Sequence, residues 1–246
     1  MAGNFASASS QYINFDAHAV GLETAQGSIS LWFKISSSGL INTLISGGDA
    51  SDNNTYTPLY VGGNITGSYA DESLNWVVYD NGATTISAFV RNGQDYYNDG
   101  VWHNCIIVMD GSDNRIYMDG SKQSLTFAGG AVNTANALLT TGTFDSFRTS
   151  GVWVSNVMYN KLNGQLDDLR IYDSNKYISD SDAKTIYNNR GNDGIITGLK
   201  GRWLMDELSA GQTITTAHDI SGNGCDGTGT NSPTYSSAPL RTKRSR

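Results

Sequence analysis

The side chains whose type and spacing first suggest acid, base or nucleophilic chemistry are an adjacent aspartate pair, Asp167 and Asp168, three histidines, His18, His103 and His218, and three glutamates, Glu23, Glu72 and Glu207. Two carboxyl groups can cleave a glycosidic bond if they flank it, one as acid and the other as base or nucleophile. Neighbouring strand residues point to opposite faces, so Asp167 and Asp168 cannot form such a pair with each other. The glutamates are remote from one another in sequence, and none belongs to a Glu-x-Asp-x-x-Glu run. Imidazole titrates near neutrality and could serve a Ser-His-Asp triad, but the chain contains no Gly-x-Ser-x-Gly nucleophile elbow. The bland reading is the better one: Asp168 shares a face with Arg170 two residues on and can pair with it, Asp167 lies on the face of Leu169 and Ile171 and needs a partner if buried, and no catalysis is expected.

The elements that carry these groups read as strands. Only 16% of the residues are charged and there are 28 glycines, a composition suited to many short strands joined by tight turns. Ile29, Leu31, Phe33 and Ile35 alternate with Ser28, Ser30, Trp32 and Lys34, which predicts a half-buried strand. Further strands are expected at 74–80, 85–91, 102–110, 115–119, 152–159 and 165–173. The run at 102–109 is apolar on both faces and should be a central strand. The stretch DGSDN at 110–114 links two of these runs and Asp119-Gly120 supplies the positive-φ residues that a tight turn needs, so two successive hairpins are expected. One short helix is expected at 179–189, capped by Ser179 with Asp182 three residues on, and docked through Ala183, Ile186 and Tyr187.

A net charge of −7 disfavours nucleic acid as a partner. The single basic cluster is the tail Arg241–Arg246, which holds four of the 16 Lys and Arg residues. No stretch approaches the roughly 18 apolar residues of a membrane span, and the N-terminus lacks the pattern of a secretion signal. Cys105 sits in an apolar strand and Cys225 in a Gly-rich loop, neither in a CxxC pair, so both are expected to be free thiols.

Three stretches, SQYINFDAHAVGLETAQGSISLWFKI, DGVWHNCIIVMDGSDNRIYMDGS and LNGQLDDLRIYDSNKYISDSDAKTIYNN, occur here in that order. Together they resemble the laminin-G-like branch of the concanavalin A-like lectin/glucanase superfamily over roughly residues 5–190. The resemblance implies an all-β fold, a two-sheet antiparallel jelly-roll sandwich with one short helix, and a structural role for His103 at the Trp-His strand start. Residues 201–230 resemble a segment that in this family usually precedes the opening strand. Either they close the same sandwich, as in a circular permutant, giving one domain over 1–230, or they begin a second unit too short to fold alone; the first is favoured.

The resemblance also implies candidate ligand sites. Relatives often bind calcium, and Asp219, Asn223 and Asp226 in DISGNGCDGT form the expected Ca2+ site, with Asp49, Asp52 and Asn53 as a second loop; ordinary Asx turns are the alternative. Glycan recognition needs an aromatic platform with polar side chains around it, and Tyr96, Tyr97, Phe147, Arg148 and Trp153 fit by composition. The same aromatics could instead cover a sandwich edge or meet a second subunit. The overall pattern resembles laminin-G-like proteins of tailed phages. It implies a non-catalytic virion structural protein in a fibre, baseplate or head decoration, assembled in the host cytoplasm among other virion proteins, homo-oligomeric and able to bind host-surface glycans. A stand-alone lectin module is the alternative, with a glycoside hydrolase a distant third. Residues 231–246, with Pro233 and Pro239, are expected to form an extended arm that docks on a partner.

Overall fold

Alternation in the sequence becomes two face-packed antiparallel sheets in the computed structural model, which describes residues 1–16, 26–35, 41–49, 55–62, 73–80, 82–90, 97–127 and 146–237. One sheet runs in the order Ser121–Lys122, Arg115–Met118, His103–Met109, Gly27–Ile35, Gly164–Tyr172, Ala2–Phe5, Thr234–Ser236, with Leu199–Trp203 also paired to Gly164–Tyr172. The other runs Leu125–Phe127, Ala83–Val90, Leu74–Asp80, Tyr56–Val61, Asn42–Gly48, Ser146–Thr149, Tyr12–Phe15, Gly227–Thr230, Thr216–Ala217. This is the jelly-roll sandwich that the alternation and turn chemistry predict.

The core lies between the sheets. Ile29, Leu31, Phe33 and Ile35 meet Phe15, Ile45, Leu59, Trp76 and Phe147 from the opposite sheet. Gly27–Ile35 is buried on its other face as well: Ser28, Ser30 and Trp32 are all covered, so the expected half-buried strand is a doubly buried one. The cover is the helix Asp180–Asn188 with its flanking loops, which packs Ile178, Ala183 and Ile186 onto Ile106, Val108, Tyr117 and Tyr172. The central strand His103–Met109 therefore has apolar neighbours on both sides, as its sequence requires. Ser179 caps the helix through the predicted capping box with Asp182.

Turn chemistry places the strands. Asp119 and Gly120 both take positive φ, at 50° and 76°, and Asp110 accepts the backbone N–H groups of Ser112 and Asp113 across the preceding loop. Residues 152–159, read from sequence as one strand, are instead a hairpin, Val152–Val154 paired with Val157–Tyr159. Ser155 and Asn156 occupy the left-handed region at 49° and 60°, the pair of conformations a two-residue turn of the I′ type needs.

The C-terminal strands add to both sheets. Leu199–Trp203 pairs with Gly164–Tyr172, and Gly227–Thr230 pairs with Tyr12–Phe15. Thr234–Ser236 pairs with Ala2–Phe5, so this part of the expected arm is a strand of its own sheet; residues 238–246 lie outside the described residues. Cys105 and Cys225 are free thiols, both buried, and burial pushes the Cys105 pKa far up.

Candidate functional site

The sequence-predicted Arg148 and Trp153 come together on the outer face of the larger sheet. In the strand Ser146–Thr149, alternation sends Phe147 inward against Phe15 and turns Arg148 outward, opposite Asn14 on one side and Ser46 on the other. The hairpin that follows folds back over this face, tied by the hydrogen bond from Ser46 Oγ to the Gly151 carbonyl, 2.5 Å. Trp153 is thereby laid on Arg148, with the guanidinium carbon 4.4 Å from the ring centroid. Tyr12 stands on the other side, 5.6 Å from the same carbon and edge-on to Trp153 at 5.4 Å. Arg148 Nε donates to Asn14 Oδ1 at 2.9 Å, which fixes the plane of the guanidinium. Such a cation between two rings contributes on the order of 1 kcal/mol. Trp153 Nε1 is buried without a hydrogen-bond partner. The result is a half-buried patch of two rings, a fixed guanidinium and a side-chain amide.

Tyr12 and Asn14 are the members that loop-centred reasoning misses. Their signal was in the run QYINF, where Ile13 and Phe15 take the core face and leave Tyr12 and Asn14 on the other. Two other candidates leave the set. Phe147 is fully buried in the core, and Tyr97 is buried edge-on against His103 at 5.3 Å; neither ring can meet a solute from solvent. Tyr96 lies outside the described residues.

The expected calcium residues satisfy backbone. Asp219 accepts N–H groups of Arg202, Ser221 and Cys225 and the Ser221 hydroxyl. Burial would raise its pKa, but these bonds outweigh burial and hold it below the ordinary carboxylate value. Asn223 donates to the carbonyls of Leu199 and Lys200, while Asp226 accepts the Asp219 N–H and lies 3.0 Å from His218 Nδ1. Among the described residues, no three His, Cys, Asp or Glu side chains gather as a metal-binding group. Asp49 is described, with its N–H donated to the Thr55 carbonyl, whereas Asp52 and Asn53 lie outside the described residues.

Asp168 does pair with Arg170, 2.7 Å, and also with Arg202, 2.7 Å. Asp167 is not on the face of Leu169 and Ile171. The ladder shifts between Asp167 and Arg170, Asp168 takes a φ of 47°, and Asp167 falls opposite Trp32 on the face away from the core. A bulge inserts one residue and so inverts simple alternation beyond it. His18 lies outside the described residues.

His103 is held between Asp119, 2.8 Å, and Asp99, 3.2 Å. Burial lowers its pKa, but the bonds and charges of the two aspartates outweigh burial and raise it above 6.5. A raised folded-state pKa means that the stabilisation is fully present below 6.5 and is lost as pH rises through the folded value. Melting temperatures of the wild type and His103→Gln, followed from about pH 5 to about pH 9, should therefore differ most in acid and converge in base. A gap that widens with pH would contradict this.

Two curved sheets closing over one core, with an aromatic and guanidinium patch on an outer face, define a concanavalin A-like jelly-roll domain. The chain belongs to the Concanavalin A-like lectin/glucanases superfamily, whose family model matches residues 7–177. No curated protein matches it. Among solved structures, a Bacteroides ovatus protein provisionally described as carbohydrate binding aligns with 98% of this chain at 16% identity and a TM-score of 0.64. This chain spans 61% of the length of that protein. The CBM40 of the Ruminococcus gnavus IT-sialidase, bound to α2,3-sialyllactose, is similar over 76% of this chain and 97% of its own, at 13% identity and a TM-score of 0.55. The leech intramolecular trans-sialidase matches 87% of this chain with 30% of its own, at 14% identity and a TM-score of 0.53. At such identities the likeness is one of fold.

Proposed function

We propose that this protein is a non-catalytic carbohydrate-binding module. The observation that carries the reading is the Tyr12, Asn14, Arg148 and Trp153 patch. A pyranose ring has an apolar C–H face and an equatorial girdle of hydroxyls. The exposed part of the Trp153 ring suits the first, and the guanidinium with the Asn14 amide and the Tyr12 hydroxyl suits the second. Because Asn14 and the flanking rings already fix Arg148, little side-chain entropy is lost on binding. The carbohydrate-binding descriptions of the Bacteroides ovatus and Ruminococcus gnavus proteins support the same reading.

A non-catalytic role fits how the titratable groups are used: Asp168 serves two arginines and His103 is held by two aspartates. The finer reading, a structural protein displayed on a phage particle, is supported by the sequence resemblance alone; detection by mass spectrometry in purified particles is its expected result, and absence from them removes it. For carbohydrate binding, a glycan array of the wild type should give hits that Trp153→Ala loses. A silent array at high protein concentration would overturn the proposal.

A further inference from the structure

On the opposite sheet, away from the Arg148 patch, a cleft of about 440 Å³ opens beside the helix. Its floor is Trp32, which projects from the middle of Gly27–Ile35 and stacks on Tyr187 with the ring planes 11° apart and centroids 5.6 Å apart. Val101 and Trp102, leading into His103–Met109, form one wall; Asn188 and Arg190, at the helix C-terminal end, form the other.

Three features separate this cleft from an ordinary surface crease. First, Trp32 is 2% exposed and its Nε1–H has no hydrogen-bond partner. Its cross-strand neighbour Asn104, fully buried, likewise has an unpartnered Oδ1. Buried donors and acceptors are nearly always satisfied, so two orphans in one cross-strand pair, at and beneath the cleft floor, set this spot apart from ordinary core. Second, the cleft combines aromatic walls with an amide and a guanidinium, and its volume falls in the range of about 300–1,000 Å³ usual for small-molecule sites. Third, the segment bearing Arg190 is pinned. Arg170 and Arg202 both donate to the Gly191 carbonyl, and Arg170 also binds Asp193, 2.8 Å. Arg190 and Gly191 take positive φ, 48° and 73°, and a Cβ on Gly191 would overlap the Asp168 carboxylate. The wall is therefore held at a fixed distance from Trp32.

We infer that this cleft is a second saccharide-binding site, taking one pyranose unit between Trp102 and the Asn188 and Arg190 side chains. The Arg190 guanidinium is a donor suited to hydroxyl and ring oxygens, the Asn188 amide can both donate and accept, and Trp102 offers a partly exposed ring face above the buried Trp32 floor. The site stands on residues separate from the Arg148 patch, so either can fail without the other.

The five tryptophan indoles give separate reporters in a ¹H–¹⁵N spectrum. The full chain is titrated with the methyl pyranosides of glucose, galactose, mannose and N-acetylglucosamine, each alone, and with indole as a non-sugar probe. At least one glycoside should shift the Trp32 and Trp102 signals, equally well in Trp153→Ala, and bind on the order of tenfold more weakly to Asn188→Ala and Arg190→Gln. Both of these side chains are exposed, so the variants keep the fold. Shifts confined to Trp153, a response to indole alone, or no response of Trp32 and Trp102 to any glycoside would overturn the inference.

Discussion

Asp168→Ala is expected to lose about 3–5 kcal/mol of folding stability in denaturant titration, because it takes the shared carboxylate from the buried guanidinium of Arg170 and the partly buried one of Arg202. Asp168 is fully buried on the bulge of Gly164–Tyr172 and receives both Arg170 and Arg202. Asp193 completes the cluster from the loop after the helix. Burial works against ionised Asp193, but the Arg170 bonds outweigh it and hold its pKa below the ordinary value. That depression stabilises the fold above about pH 4 and is lost as pH falls through the lowered pKa. A destabilisation under about 1 kcal/mol for Asp168→Ala would show that water, not Asp168, balances these charges.

Trp203→Ala should be comparably severe, at about 3–5 kcal/mol. The indole is fully buried, lies 4.4 Å from the Phe15 ring, and donates Nε1–H to the Cys225 carbonyl at 2.8 Å. Truncation opens a large cavity and orphans a buried carbonyl together. The substitution also asks whether the C-terminal segment shares the core of the rest of the chain. If it does, unfolding stays a single transition with a lower midpoint. A wild-type midpoint preceded by a small early transition would assign residues 199–236 to an independently melting unit.

The sequence made the scaffold legible where physics is local. Alternation from Ser28 to Ile35, the two-sided apolar run before Asp110, the Asp-Gly turns and the Ser179 cap are each set by residues within a few positions. It was less legible wherever one residue changes the phase. The positive φ of Asp168 moves Asp167 to the other face, and the Ser155-Asn156 turn splits one apparent strand into two. Neither residue is glycine, so composition gave little warning. The candidate site was half legible. Arg148 and Trp153 were identifiable as an aromatic and guanidinium pair near a turn, but Phe147 is chemically as suitable and only burial removes it. Asn14 and Tyr12 are more than a hundred residues away in sequence and join through strand pairing, a non-local choice that no window of sequence contains.

Carbohydrate recognition by the outer-face patch is tested most directly by isothermal titration of one array-selected oligosaccharide into the wild type, Trp153→Ala and Arg148→Gln, with melting temperatures taken on the same samples. The account predicts saturable heat for the wild type and, for each variant, binding weakened on the order of tenfold or more while the fold stays intact, a loss of about 1.4 kcal/mol or greater. Undiminished affinity in both folded variants would contradict it.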